Sequence, residues 1–223
     1  MKKLVVYSLL LVGVVILLNG CGISINPQGV RGSGEIVSRD FDVENYTAIN
    51  ISGVYEVIWR QGETASVTVE MYENLFEYLE VSVEGNTLNI ESRRAINVRN
   101  RDATPRIYLY SPSLETVDFY GALSAENWDT IHAQNFSMNV SGAASADLTF
   151  AVEVLDIDLS GAGDLDLTGN IDTANIVLSG AGDIEIDVSN YLNVDISGAG
   201  RVRYGGDPTI SQNISGVGTI EQK

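Results

Sequence analysis

Leu155-Asp156-Ile157-Asp158-Leu159-Ser160-Gly161-Ala162-Gly163-Asp164-Leu165-Asp166-Leu167 is the stretch on which the fold turns. Apolar and acidic residues alternate on both sides of a Ser-Gly-Ala-Gly turn. Period-two alternation predicts strands with one face buried, because successive side chains of a strand point to opposite faces. The turn phrase recurs as Tyr120-Gly121-Ala122, Ser141-Gly142-Ala143, Ser179-Gly180-Ala181, Ser197-Gly198-Ala199 and Ser215-Gly216-Val217, with glycines 21, 19, 19, 18 and 18 residues apart. Antiparallel hairpins reverse the chain in about two to five residues at each strand end. Here the same phrase returns in the same sense once per period, which predicts equal coils stacked in parallel. The fold expected is all-β, a right-handed parallel β-helix with coils of 18–21 residues and a rise of ~4.8 Å per coil. The hand follows from the strong right-handed bias of crossovers between parallel strands. The turn glycines Gly142, Gly161, Gly163, Gly180, Gly182, Gly198, Gly200, Gly216 and Gly218 are expected to be structural, through positive φ or close backbone approach.

Stacking predicts columns. One residue before each turn stand Phe119, Val140, Leu159, Leu178, Ile196 and Ile214, an apolar column facing inward. One residue earlier stand Asp118, Asn139, Asp158, Val177, Asp195 and Asn213, an outward column in which no two aspartates are neighbours. Like charges side by side on adjacent strands are destabilising, and this column avoids them. Six residues past the turn serine come Glu126, Asp147, Asp166, Glu185, Arg203 and Glu221; four past it come Ser124, Ser145, Asp164, Asp183, Arg201 and Thr219. Those two columns gather Asp147, Asp164, Asp166, Asp183 and Glu185 on one outward face with no cation before Arg201. The face reads as solvated acid, with weak Ca²⁺ binding as the sharper alternative. No dedicated metal site or cofactor is expected.

The first half, residues 35–113, carries strand patterns of less regular length, including Ala48–Trp59 around Ser52-Gly53, a pair of runs joined at Gly85-Asn86, and a possible helical turn over Tyr72–Tyr78. It reads as the same solenoid with longer excursions; a separate small β-sandwich is the competing reading. The regular Ser-Gly-Ala-Gly coils then occupy 114–223.

The chain begins with Met1-Lys2-Lys3, an apolar run from Leu4 to Leu18, and Leu18-Asn19-Gly20-Cys21. The run is short for a membrane span and suits a secretory signal. The ending resembles a bacterial lipobox, so residues 1–20 are expected to be a lipoprotein signal peptide and Cys21 the lipidated residue. Residues 21–34 read as a flexible tether. More than one acyl chain makes membrane attachment stable. The absence of Asp after Cys21 favours the outer membrane over retention in the inner one.

The chain has 223 residues, 13 Lys+Arg against 30 Asp+Glu, and a net charge of −17. That balance excludes nucleic acid as a partner. One Cys and one His exclude a disulfide framework, a cysteine zinc cluster and a histidine-rich metal centre. Long β-helices include polysaccharide lyases and hydrolases, yet residues 107–200 contain neither Lys nor Arg against 15 Asp+Glu. A basic residue to abstract a proton and a cationic clamp for an acidic sugar are therefore missing from the regular coils, and no catalytic residue is assigned. His132 reads as a surface residue in a connection between coils. Arg93, Arg94, Arg99, Arg101 and Arg106 read as a loop offsetting nearby Glu, and Trp59, Tyr108, Tyr110, Phe119 and Tyr120 as core or ladder aromatics rather than a sugar platform.

Gly32-Ser33-Gly34-Glu35-Ile36-Val37 behind the lipobox, Tyr46 to Gly62 (YTAINISGVYEVIWRQG), Asn86-Thr87-Leu88-Asn89-Ile90 and the terminal Ser-Gly-Ala-Gly array together resemble the bacterial "putative auto-transporter adhesin, head GIN domain" family over roughly residues 35–220. The resemblance implies a right-handed parallel β-helix and an adhesin, and supplies no catalytic residues. The function expected is a lipid-anchored, non-catalytic binding or adhesion surface of the cell envelope. Its partners would be the membrane through the anchor and a glycan or an envelope or surface protein. An envelope scaffold or sensor contacting periplasmic proteins is the alternative, and a polysaccharide-active enzyme the poorest fit.

Overall fold

The structure, a computed structural model, describes residues 29–97 and 104–223. Cys21, Arg99 and Arg101 lie outside the described residues, as does the signal-peptide segment. In chain order the strands are β1 (Val30–Arg31), β2 (Ile36–Phe41), β3 (Ala48–Gln61) and β4 (Ser66–Tyr72), then a 3₁₀ helix (Glu73–Tyr78), β5 (Leu79–Glu84), β6 (Thr87–Ser92), β7 (Ile96–Asn97) and β8 (Arg106–Ser111). The regular region follows with β9 (Thr116–Ala125), β10 (Ile131–Leu159), β11 (Ala162–Leu178), β12 (Ala181–Asp187), β13 (Tyr191–Ile196), β14 (Ala199–Gly205), β15 (Thr209–Ile214) and β16 (Val217–Gln222). They build a β-solenoid of about six turns.

The register is the one the turn phrase dictates. β9 pairs in parallel with β10, with Gly121 opposite Gly142 and Ser124 opposite Ser145. β10 pairs with β11, with Ala143 opposite Ala162. β11 then supports β12, β14 and β16 along one side of the coil and β13 and β15 along the other. Each coil thus runs along one side, turns at Ser-Gly, and runs along the next. In β10 the backbone keeps its ladder bonds around the corner, so one strand of 29 residues bends at Gly142.

Phe119, Val140, Leu159, Leu178 and Ile196 are buried and form the inward column. Ile214, the sixth member, is 39% exposed, because β15 pairs only with β13 and carries no further described strand above it. Burying each such side chain contributes about 1.5–3 kcal/mol.

The outward columns show how the stack manages its charge. Asn139 Nδ2 donates to Asp118 Oδ1 at 2.6 Å, Asn175 to Asp156 at 2.8 Å and Asn213 to Asp195 at 3.2 Å. Asn190 donates to Asp172 in the same way. Each time an Asp is followed one coil later by an Asn, and an amide donor stands where a second carboxylate would repel. Hydrogen bonds to a charged group contribute about 1.5–3 kcal/mol when shielded, less on an exposed face.

The first half departs from a purely parallel coil. β3 is in register with β9 over Ala48–Val57, with Gly53 opposite Gly121, so it belongs to the same ladder. Its start also pairs with β6 and its end with β8, both in parallel. Onto these strands fold antiparallel neighbours: β5 on β6, β4 on β8, and β2 on β4. The β5–β6 reversal is a two-residue turn at Gly85-Asn86, where Gly85 has φ +64°. These antiparallel pairs make up the longer excursions expected for 35–113, while β3 continues the ladder of the regular coils. Residues 29–34, expected as tether, are instead tied to the body. β1 pairs with β7, the Ser33 amide donates to Asn74 Oδ1 at 2.8 Å, and Asn74 Nδ2 donates to the Arg31 carbonyl at 2.9 Å.

Candidate functional site

The corner of the stack is built by its glycines. At Gly142, Gly161, Gly180, Gly198 and Gly216 an added Cβ would fall 1.7–2.0 Å from the carbonyl oxygen of the glycine one coil earlier. Close backbone approach is therefore what excludes a side chain there. Positive φ accompanies it at Gly121 and Gly142, and not at the later four; Gly53 also has positive φ, but an added Cβ there would meet the Tyr55 ring at 2.5 Å. The second turn glycines are more graded: a Cβ at Gly163 would sit 3.1 Å from Ala144 O, but 2.2 Å from Gly163 O at Gly182 and 2.4 Å from Gly182 O at Gly200. At Gly218 it would meet Ile196 Cγ2 at 2.7 Å.

Directly after this corner the chain leaves two adjoining troughs. The larger, about 740 Å³, extends over five stacked strands, from β3 to β12. Its outward floor is the in-register column Val54, Ala122, Ala143, Ala162 and Ala181. A second column lining it, Tyr55, Leu123, Ala144, Gly163 and Gly182, shrinks from an aromatic to no side chain along the stack. Ser124, Ser145 and Asp164, stacked in register, border it with one polar group per coil. Tyr55 stands at the β3 end, 1% exposed. Its hydroxyl is the one buried side-chain polar atom without a hydrogen-bond partner among the described residues. Burial pushes its pKa up to about 12.

The smaller trough, about 340 Å³, shares Ser145 and Asp164 and adds Asp147, Asp166, Asp183, Glu185 and Arg203. Asp147, Asp166 and Glu185 are in register, as are Asp164 and Asp183. Cations enter only at the end of the column. Arg203 pairs with Glu185 at 2.7 Å, and Lys223 reaches Glu185 and Asp187, both at 3.0 Å. No group of three or more His, Cys, Asp or Glu among the described residues is arranged to hold a metal ion.

The remaining sequence candidates do not converge on a site. Among the arginines, Arg93 pairs with Glu80 at 2.7 Å, Arg106 bridges Glu56 at 2.8 Å and Glu70 at 3.3 Å, and Arg94 stands 5.8 Å from the Tyr78 ring centroid. His132 is exposed and lies within β10 rather than in a connection. Trp59 and Phe119 are buried, while Tyr110 and Tyr120 are 40% and 49% exposed, so these aromatics form no common platform. Trp59 Nε1 donates to Ser111 Oγ at 2.9 Å, and that hydroxyl donates onward to the Ser113 carbonyl at 2.8 Å. Tyr55 was not singled out from sequence. Its signal is that an aromatic occupies a ladder position which later coils fill with Leu, Ala and Gly.

No curated protein matches the chain. Among solved structures, a "putative adhesin" from Bacteroides fragilis is 24% identical with a TM-score of 0.66, covering 87% of this chain and all of that one. A "putative adhesin" from Parabacteroides distasonis is 22% identical (TM-score 0.55), and a "putative lipid binding protein" from the same organism 21% identical (TM-score 0.51); each pairing covers 87% of this chain and 99% of the other. At these identities the likeness shows the shared fold. No helix among the described residues is long and apolar enough to cross a membrane. The model of one family matches residues 45–223, four-fifths of the sequence, and the chain belongs to that family, described as "putative auto-transporter adhesin, head GIN domain".

Proposed function

We propose that the protein is a non-catalytic adhesion surface of the cell envelope, anchored through lipid on Cys21 and oriented outward from the outer membrane. The observation that carries this reading is the long trough along the corner of a rigid solenoid. A stack whose neighbouring coils fix one another offers an extended preorganised surface, and preorganisation lowers the entropic cost of binding. Membership of an adhesin family supports it. So does the lack of any Lys or Arg in residues 107–200, which leaves the coils without a cationic clamp for an acidic substrate. An envelope scaffold or sensor is separated from an adhesin by exposure. Proteinase added to intact cells should degrade the protein or release it into the medium. Protection of the full-length protein on intact cells would refute the outward orientation. Labelling with a radioactive fatty acid should mark the wild type and not Cys21→Ser; an unlabelled wild type would refute the anchor.

A further inference from the structure

We infer that the last coil of the solenoid is a self-association surface, through which two copies of this chain join end to end about a two-fold axis. The association does not depend on the adhesion reading; only its role on a cell rests on it. Four points carry it.

The two ends of the stack are finished differently. At the first end β3 is covered by β6 and β8, and antiparallel β5, β4 and β2 fold onto these. The edges left there are charged, with Glu80 and Glu84 on β5 and Arg39 and Asp40 on β2. Charged side chains protect a strand edge from pairing with another chain. At the last end β15 and β16 each have one partner among the described residues. There β15 carries no charge at all and β16 only Glu221.

The apolar core is left open at this face. Leu192 and Ile196 are buried, whereas Ile210 and Ile214, stacked on them, are 37% and 39% exposed. Ile220, stacked on buried Val202, is half-buried. The terminal repeat of a solenoid ordinarily needs a polar outer face. A lone extended peptide could pair with one edge. Another coil offers strands to both β15 and β16 and apolar residues to the face between them.

The charge points to a second copy meeting this end. Residues 107–200 hold 15 Asp+Glu and neither Lys nor Arg. In residues 201–223, Arg201, Arg203 and Lys223 outnumber Asp207 and Glu221. Two copies of net charge −17 repel each other side by side, and least where cations outnumber carboxylates.

The topology closes the assembly. Head-to-tail stacking would need the first end, which the antiparallel strands cover, so a last coil meets another last coil. One patch used by both copies gives a closed pair rather than a fibre. Seven strands stack from β3 to β16 along one side, so at ~4.8 Å per step a copy extends ~29 Å and the pair ~60 Å. Residues 29–34, tied to the first half, then lie at the two far ends, which suits copies held in facing membranes.

The test is sedimentation equilibrium of the full-length protein in density-matched detergent, over about 1 μM to 1 mM, which brackets weak to firm association. The wild type should move from one copy to two and stop there. Its dissociation constant should fall as NaCl is raised, because salt screens the repulsion between copies. Ile214→Lys with Ile220→Lys should raise that constant at least tenfold and leave the melting temperature unchanged, since both sit on the open face. Gln212→Glu, a near-isosteric change stacked on Val194, should raise it at least threefold. Ile36→Lys on exposed β2, at the other end, should not alter it. A wild type that stays monomeric throughout, one that grows beyond two copies, or a double variant that pairs at wild-type strength would each overturn the inference. The adhesion reading fails separately, through protection from proteinase on intact cells, so either result is interpretable without the other.

Discussion

Replacing Gly180 by Ala tests the corner with the smallest possible perturbation. The added Cβ would lie 1.7 Å from Gly161 O and 2.8 Å from Ser160 O. Ordinary van der Waals contact of a Cβ is about 3.4–4 Å, so the two coils would have to part locally by well over an ångström. Overpacking of this kind costs about 1–3 kcal/mol. Separation also weakens the Gly180 N–H bond to the Leu159 carbonyl (3.3 Å) and the Ala181 N–H bond to the Gly161 carbonyl (2.8 Å), each contributing about 0.5–1.5 kcal/mol. The expected loss is about 2–5 kcal/mol, or roughly 4–20 °C at about 2–4 °C per kcal/mol for a domain of this size. Two controls sharpen the test. Gly163→Ala meets Ala144 O at 3.1 Å, so a small adjustment accommodates it and the loss should stay below about 1 kcal/mol. Gly216→Ala meets Gly198 O at 2.0 Å, but lies in the last coil, which can fray without disturbing the rest. Thermal melts followed by circular dichroism should rank the losses Gly180 first, Gly216 second and Gly163 last. A Gly180→Ala melt matching the wild type would refute close backbone approach as the reason for glycine.

Ser111→Ala should cost about 1–3 kcal/mol in urea unfolding, because it leaves the buried Trp59 N–H without an acceptor; an unchanged midpoint would show that the indole finds another partner. Burial holds Tyr55 near 12 against about 10 in an unfolded chain. Between those values the folded form keeps a proton the unfolded form has lost, so stability should fall as pH rises from 10 to 12, and urea midpoints should fall less steeply in Tyr55→Phe. At neutral pH the same substitution should be neutral or stabilising, since it removes an unsatisfied hydroxyl. Asp166 is stacked between Asp147 and Glu185, so Asp166→Asn should raise stability by about 0.2–1 kcal/mol per relieved pair at low salt and by less at high salt. The wild type should melt higher in 0.5 M than in 0.01 M NaCl and equally in CaCl₂ of matched ionic strength; a clear excess in Ca²⁺ would reveal a cation site on this face.

The second half of the fold was legible because one rule repeats there. The turn phrase fixes where the chain bends, alternation fixes which side is buried, and the 18–21-residue spacing fixes what stacks on what. Columns counted from the turn serine, such as Asp147 with Asp166 and Glu185, are the partners that the backbone forms. The first half was less legible because its strands pair with neighbours distant in sequence. Nothing in Ser66–Tyr72 says that it runs antiparallel to β8, because alternation reads the same in either direction. Only the Gly85-Asn86 reversal carries its own local signal. Ile214 misled for a related reason: a column pattern states which way a side chain points, but the last coil has nothing described above it to complete the burial.

Tyr55 shows how a departure from the repeat hides in a repetitive sequence. In isolation Ser52-Gly53-Val54-Tyr55 reads as one more coil, and the aromatic as one more core residue. Only the stacked column shows that its successors are Leu123, Ala144, Gly163 and Gly182. The same comparison separates two treatments of charge on one molecule. Asp118, Asp156 and Asp195 each receive an amide from the asparagine one coil later. Beside the troughs, Asp164 faces Asp183, and Asp166 lies between Asp147 and Glu185, with no amide interposed. An alternation used elsewhere is absent along this border. Folding alone favours the Asp–Asn arrangement, because it exchanges repulsion for a hydrogen bond. The stacked acid beside the troughs therefore costs stability, which Asp166→Asn should recover.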